Sequence, residues 1–262
     1  MEFFRKQFDL RAFTFYPLGD WHVGSQQCNI KFIKEVIDEI KSSNTAYWAG
    51  HGDLMENAIV GSKSDVYKQE MPPKEQMDYI VELLNPIRHK GLFLLSGNHE
   101  YRTMRVVGLL PEQYISVQLG IPFLGYSCLA TYQLMEAKSP QSFTCYHHHN
   151  AGGGYTKGAK INRSAKLREI VPTADATFSG HFHTTSRMPT TWYSPGRGQI
   201  IKHVGYDYCI GSALEYDNSY AEERAKTPAT AEMIKVTFRG ATSGRRDNRE
   251  QIYQVITSNG RH

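Results

Sequence analysis

Three times in its first hundred residues the chain repeats one unit: a short β-prone apolar run stops at glycine and a cluster of polar, ionisable side chains. Arg11 to Leu18 runs into Gly19-Asp20-Trp21-His22, Thr45 to Ala49 into Gly50-His51-Gly52-Asp53, and Leu92 to Leu95 into Ser96-Gly97-Asn98-His99-Glu100. Helical patterns separate the runs. Ile30, Phe32, Ile33, Val36, Ile37 and Ile40 follow the 3.6-residue period, and Pro72-Pro73 opens a second helix with Met77, Ile80, Val81, Leu84 and Ile87 on its core face. Alternation of this kind builds a layered α/β domain, and open α/β sheets gather their sites at the carboxyl ends of their strands.

Further along, Pro111 to Leu119 reads as another helix, and Phe123 to Tyr126, Thr131 to Leu134 and Ser142 to Tyr146 as strands. The last of these leads into His147-His148-His149. A glycine loop, Gly152 to Gly154, precedes a helix from about Ala159 to Ile170. A short β-run, Ala176 to Phe178, then meets Ser179-Gly180-His181-Phe182-His183, where Gly180 lets the chain leave extended geometry. Strand patterns at Gln199 to Val204, Tyr206 to Ile210 and Met233 to Phe238 follow. We therefore expect one domain over residues 1–262, β-rich from about residue 184, with a basic tail from about 239.

Composition excludes little. A net charge of +4 is mildly basic, compatible with phosphate-bearing partners yet far below the charge density of a dedicated DNA binder. Cys28, Cys128, Cys145 and Cys209 lie far apart without a Cys-x-x-Cys, so no disulfide framework or zinc ribbon is expected. The first ten residues carry Glu2, Arg5, Lys6 and Asp9 and no long apolar run. No signal peptide, no membrane span and a cytoplasmic location are the expectations.

Collected, the strand-end residues are Asp20, His22, Asp53, Asn98, His99, one of His147 to His149, His181 and His183. Carboxylates, imidazoles and an amide form a mixed N/O donor set suited to Mn, Fe, Zn or a similar divalent ion. They are too many for one tetrahedral site, whereas two adjacent metals sharing a carboxylate would use them all. In order and spacing, Asp20-x-His22, Gly52-Asp53-x-x-Glu56-Asn57, Gly97-Asn98-His99-Glu100, the strand-end histidine and Gly180-His181-x-His183 resemble a calcineurin-like metallophosphoesterase.

The resemblance implies a four-layer α/β-β/α sandwich with two mixed central sheets and a dinuclear metal centre at one edge. It implies Asp20, His22, Asp53 and His183 on one ion, and Asp53, Asn98, the middle histidine and His181 on the other, Asp53 bridging. Matching His148-His149-Asn150 to the family pattern favours His148, with His149 and then His147 behind it. The cofactors implied are two divalent ions, Mn²⁺ first, with Fe, Zn, Ni or Co as alternatives. Two cations about 3.5–4 Å apart clamp a phosphoryl group and lower the pKa of a bridging water, whose hydroxide attacks phosphorus. His99 then faces the substrate as acid or transition-state stabiliser, and Glu56 orients it.

The implied activity is hydrolysis of a phosphoester, with a phosphodiester, DNA included, ahead of a phosphomonoester or a cyclic-nucleotide or other small-molecule diester. Asn57 stands where the protein serine/threonine phosphatases carry arginine, which disfavours that branch. Lys157, Lys160, Arg163, Lys166 and Arg168, and in the tail Arg239, Arg245, Arg246, Arg249 and Arg261, are candidate contacts to a nucleic-acid backbone. Tyr206, Tyr208, Tyr216 and Tyr220 read as strand packing, or as the surface of an oligomer. A non-catalytic scaffold on the same fold is the reading of another class, and the complete ligand set argues against it.

Overall fold

A computed structural model describes residues 1–62, 64–136, 140–149, 156–196, 198–217, 222, 230–241 and 249–258. Asn150, Gly152 to Gly154, Tyr220, Arg245, Arg246 and Arg261 lie outside the described residues, as does the side chain of Lys157. In chain order the elements are β1 (Glu2–Phe8), β2 (Ala12–Leu18), α1 (Ile30–Ser42), β3 (Ala46–His51), α2 (Pro73–Leu84), β4 (Gly91–Leu95), α3 (Glu100–Val107), α4 (Pro111–Leu119), β5 (Ser127–Leu134) and β6 (Gln141–His148). There follow α5 (Lys157–Lys166), β7 (Ala176–Ser179), β8 (Thr185–Pro195), β9 (Ile200–Ser212), β10 (Glu232–Arg239) and β11 (Glu250–Thr257).

The strands form two mixed sheets. Parallel β2, β3 and β4 continue through antiparallel β10 to β11, while β1, β5, β6, β7, β9 and β8 form the other. β10 joins them, because its first two residues pair with the end of β9 and its last four with β2. The inner faces meet over an aromatic core in which Phe15 contacts Phe178 at 5.1 Å, Phe13 stacks on Phe238 at 5.2 Å and Phe178 on Tyr208 at 5.0 Å. Helices cover both outer faces. α1, α2 and α4 pack on β2–β4, and Leu167, in the turn that directly follows α5, packs against Tyr146. These are the four layers expected.

α1 shows why the sequence forms its element. Asn29 caps it by accepting from Phe32 N at 2.9 Å, and Phe32, Ile33, Val36, Ile37 and Ile40 are all buried. At roughly 1.5–3 kcal/mol per buried side chain, that face holds the helix against the sheet.

Registers decide where the site lies. Leu18 pairs with Gly50 and His51 with Leu95, so β2, β3 and β4 end at one edge. In the second sheet His148 pairs with Ser179, which brings the ends of β6 and β7 to a common level.

Several stretches depart from expectation. β1 is a strand, parallel to β5 from Glu2 opposite Cys128 to Phe8 opposite Leu134; as an edge strand exposed along most of its length, it shows no apolar alternation. Phe123 to Tyr126 contributes only a single bridge, Phe123 to Leu94. The two strands expected around residue 205 are one 13-residue strand, β9, paired with an unforeseen β8 over eleven residues. Gly205 runs on through it because a Cβ there would sit 2.6 Å from Ala174 O. The basic tail contains β11, whose Glu250 pairs with Arg239 of β10 at 3.2 Å. Among the described residues no helix is long and apolar enough to cross a membrane.

Candidate metal centre

The site begins with backbone strain. Among the described residues six non-glycine residues have positive φ: Asp20 (50°), His22 (52°), Asp53 (48°), Asn57 (47°), His181 (72°) and His183 (47°). The left-handed region costs an ordinary L-residue roughly 1–2 kcal/mol and Asn or Asp less, and all six lie in the loops that directly follow β2, β3 and β7. Five are expected ligands, and the sixth, Asn57, holds His99 by donating from its side chain to the His99 carbonyl at 2.6 Å. Strain confined to one edge marks a site whose geometry the rest of the fold enforces.

Gly180 has a different task from the one expected. It does not adopt positive φ; its neighbours His181 and His183 do. Its smallness matters, since a Cβ there would lie 2.8 Å from His149 Nδ1 and 3.0 Å from Asp20 Oδ2.

Two ligand clusters result. In one, donor atoms of Asp20, His22 and His183 lie within 4.8 Å of one another. His22 Nε2 is 3.1 Å from His183 Nε2, which is 3.5 Å from Asp20 Oδ1. In the other, His149 Nε2 is 3.2 Å from Asp53 Oδ2, with His181 completing the group. Asp20 Oδ2 ties the clusters by accepting from His181 N at 2.7 Å. A third grouping, His22, Asp53 and His99, spans them.

Two observations fit cations here. Among the described residues, the buried Asp20 Oδ1 has no hydrogen-bond partner. The inward amide atom of Asn98 lies 2.7 Å from His181 Nδ1, 3.2 Å from His149 Nε2 and 3.3 Å from Asp53 Oδ2. With oxygen in that place, lone pairs converge as they would on a metal; with nitrogen there, the amide donates and the cluster closes on itself. The first arrangement is the one that coordination of a metal by Asn98 requires.

Protons balance the charges in the metal-free state. Burial lowers the pKa of His149, but the Asp53 carboxylate outweighs it and holds the imidazolium up to about 10. Burial likewise raises Asp53 and Asp20, and the neighbouring imidazoles more than reverse it, leaving both below the ordinary carboxylate range.

The middle histidine requires a correction. The family pattern favours His148, yet it is His149 that reaches Asp53 and Asn98. His149 Nδ1 donates to His51 O at 2.6 Å, which leaves Nε2 for the site. Strand parity explains this. Phe143, Cys145, His147 and His149 share the inner side of β6 and its extension, while His148 lines a cavity beside Asn98. His147 is buried among His51 Nε2 (2.9 Å), Tyr132 Oη (3.0 Å) and the face of Phe178.

Glu56 and His99 also differ from expectation. The Glu56 carboxylate lies 3.1 Å from His22 Nδ1 and 3.6 Å from His99 Nδ1, so it orients His22. His99 is held by the Glu56 backbone carbonyl, 2.7 Å from Nδ1. Burial, chiefly, lowers the pKa of His99 to about 4, and Arg102 Nη2 stands 2.8 Å from its Nε2. The ring is therefore neutral at neutral pH, donating through Nδ1 and accepting from Arg102, and the charge beside it belongs to the guanidinium.

No family model matches the sequence, and no curated protein does. Among solved structures, a candidate 5'-nucleotidase from Staphylococcus aureus in complex with α-ketoglutarate superposes with a TM-score of 0.48 at 12% identity. The match covers 94% of this chain and 54% of that one, so the chain spans about half the length of this neighbour. A calcineurin-like phosphoesterase from Bacillus subtilis gives 0.38 at 10% identity, covering 93% and 90%.

Sequence reasoning assigned no role to the residues that hold the ligands in place. Glu100 Oε2 accepts from Asp53 N at 3.0 Å and its Oε1 from Met55 N at 3.2 Å. Glu112 Oε1 accepts from Gly97 N at 2.9 Å, and Gln76 Oε1 from Asn57 N at 2.9 Å. Burial raises Glu100 well above the usual range and pushes Glu112 up to about 7. Glu100 adjoins Asn98-His99 in sequence, and a carboxylate inside that motif was the available signal. Glu112 and Gln76 sit on helices and left none.

Proposed function

We propose that the chain is a metal-dependent phosphoesterase of the calcineurin-like kind with two divalent ions. The observation that carries this is the pair of adjoining ligand clusters on strained strand ends. Asp20, His22, Asp53 and His183 would hold one ion; Asp53, Asn98, His149 and His181 the other. Bound there, two divalent ions neutralise phosphoryl oxygens and acidify a water. The donor set is indifferent between Mn²⁺, Fe, Zn, Ni and Co, and we place Mn²⁺ first.

The chain's own residues supply the rest. Arg102, partly exposed and fixed by Glu56 O (3.0 Å) and Ser64 Oγ (3.0 Å), offers a permanent cation for the phosphoryl charge that develops. His99 is a neutral ring whose Nε2 accepts from Arg102, so it positions the guanidinium beside the ligand clusters. Glu56 fixes the tautomer of His22, and Glu100 fixes the backbone of Asp53.

A small phosphoester is placed ahead of nucleic acid. Arg168 is buried on Asp207 at 2.7 Å, and Arg249 is engaged by Asp175 at 2.8 Å and by Ser142 O. These two basic residues serve the fold, while Arg163 and Lys166 stay exposed on α5. Tyr208 is buried in the core and offers no partner surface.

The test uses purified protein, stripped and then loaded with Mn²⁺, assayed on bis-p-nitrophenyl phosphate and p-nitrophenyl phosphate. Metal-dependent turnover with two bound ions per chain is expected, lost in Asp53→Asn. Turnover no higher than that of the Asp53→Asn protein would defeat the proposal.

A further inference from the structure

Beside the ligand clusters lies a cavity of about 180 Å³, lined in part by Tyr101, Tyr126 and His148, and sharing Asn98 and His149 with the metal centre. No lysine, arginine or carboxylate is among its described lining residues, whose ionisable groups are the two tyrosines, His148 and His149. The two tyrosines are its distinctive feature. Tyr101 is 39% and Tyr126 49% exposed, so the core does not require either ring.

Both are nevertheless held in place. Tyr101 is the second residue of α3, directly after His99 and Glu100, and Tyr126 follows a loop pinned by Ser96 N donating to Gly125 O at 2.8 Å. Their rings meet edge to face, with centroids 5.7 Å apart and planes at 81°. Aromatic faces presented this way attract other flat rings by stacking and edge contacts. Size permits it: a cavity of about 150 Å³ admits benzene, so this one has room for a six-membered ring. Since the cavity shares Asn98 and His149 with the metal centre, that ring would be joined to the phosphate by a few bonds.

We infer that this cavity is a substrate subsite for one planar ring, carried on the alcohol of the phosphoester that the ligand clusters receive. The inference rests on the phosphoesterase reading and extends it to a substrate class: ring-bearing esters such as pyrimidine nucleotides or aryl phosphates.

Calorimetric binding of thymidine 5'-phosphate, phenyl phosphate and glycerol 3-phosphate to the Mn²⁺-loaded protein tests it. The wild type should bind the ring-bearing esters about 5- to 100-fold more tightly than glycerol 3-phosphate, the range expected for one stacked ring. Thymidine against phenyl separates a nucleotide from a simple aryl ligand. Tyr101→Leu with Tyr126→Leu should bring the preference towards one, while Tyr101→Phe with Tyr126→Phe should keep it. Equal wild-type affinity for all three esters overturns the subsite without any variant having to fold, and so does a preference that survives both leucines. Turnover of bis-p-nitrophenyl phosphate, run in parallel, separates the two claims. Its absence defeats the phosphoesterase reading, whereas turnover without ring preference defeats the subsite alone.

Discussion

Replacing Glu56 isolates the support of one ligand. Glu56 Oε2 lies 3.1 Å from His22 Nδ1, the side chains being 16% and 3% exposed, and the opposite nitrogen of that ring faces His183. Of the carboxylate's other neighbours, His99 Nδ1 at 3.6 Å and Arg102 Nη1 at 3.9 Å lie beyond hydrogen-bond reach, and the Ser64 side chain hydrogen-bonds to it without touching a metal ligand. The Glu56 carbonyl that does hold His99 and Arg102 is untouched by a side-chain change. The loss therefore falls on His22. Carboxylate partners of metal-bound histidines are worth about 10- to 100-fold in metal affinity, or about 1.4–2.7 kcal/mol. Glutamine keeps the volume and an accepting oxygen and forfeits only the charge, so Glu56→Gln belongs near 10-fold and Glu56→Ala near 100-fold.

Competition with a chromogenic chelator, resolved into two binding steps, provides the assay. One step should weaken by these factors and the other stay within about 3-fold, because the Asp53–Asn98–His149–His181 group has no carboxylate from residue 56. Equal weakening of both steps, or an unchanged affinity in Glu56→Ala, would refute the division of ligands between two ions.

His149→Ala should empty one site and His148→Ala leave both ions bound, as read by elemental analysis; two ions retained in His149→Ala would return the assignment to His148. In Glu112 the folded pKa, about 7 against 4.5, means that the folded state holds a proton the unfolded chain has released. Its contribution to the metal-free protein therefore falls as pH rises from about 4.5 to 7, and Glu112→Gln should stabilise that protein by up to roughly 3 kcal/mol at pH 8 and by little at pH 4, measured by urea unfolding. An identical gain at both pH values would count against a buried ionisation there. Gly180→Ala would place a methyl 2.8 Å from His149 Nδ1 and 3.0 Å from Asp20 Oδ2, and should cost about 1–3 kcal/mol of stability together with at least one bound ion; a fully loaded, unperturbed variant would contradict the close packing.

The parts of this molecule that could be read in the sequence share a physical basis. Where a buried face imposes a period, as along α1 or at Phe143 and Cys145 of β6, composition and position carry the same information. The layered fold and the strand-end ligands followed from such runs. Followed two residues further, that alternation puts His147 and His149 on the inner side and His148 outside; matching a family pattern hid a parity already present in Ser142-Phe143-Thr144-Cys145. β1 and β8 lacked a period because neither face of either strand is fully buried, so nothing selected alternation. The partners of the site were unreadable for a different reason. Glu112 reaches Gly97 from α4, and Gln76 reaches Asn57 from α2, across separations that no local pattern encodes. Arg102 was hidden by a false economy: one residue, His99, was assigned both proton transfer and charge. Burial of an imidazole beside a guanidinium separates those tasks, since the ring cannot gain a second proton cheaply while Arg102 occupies its Nε2. Substrate charge is then met by a cation that does not titrate. A reaction dependent on Arg102 would hold its electrostatic contribution across the pH range in which a histidine acid would lose its own.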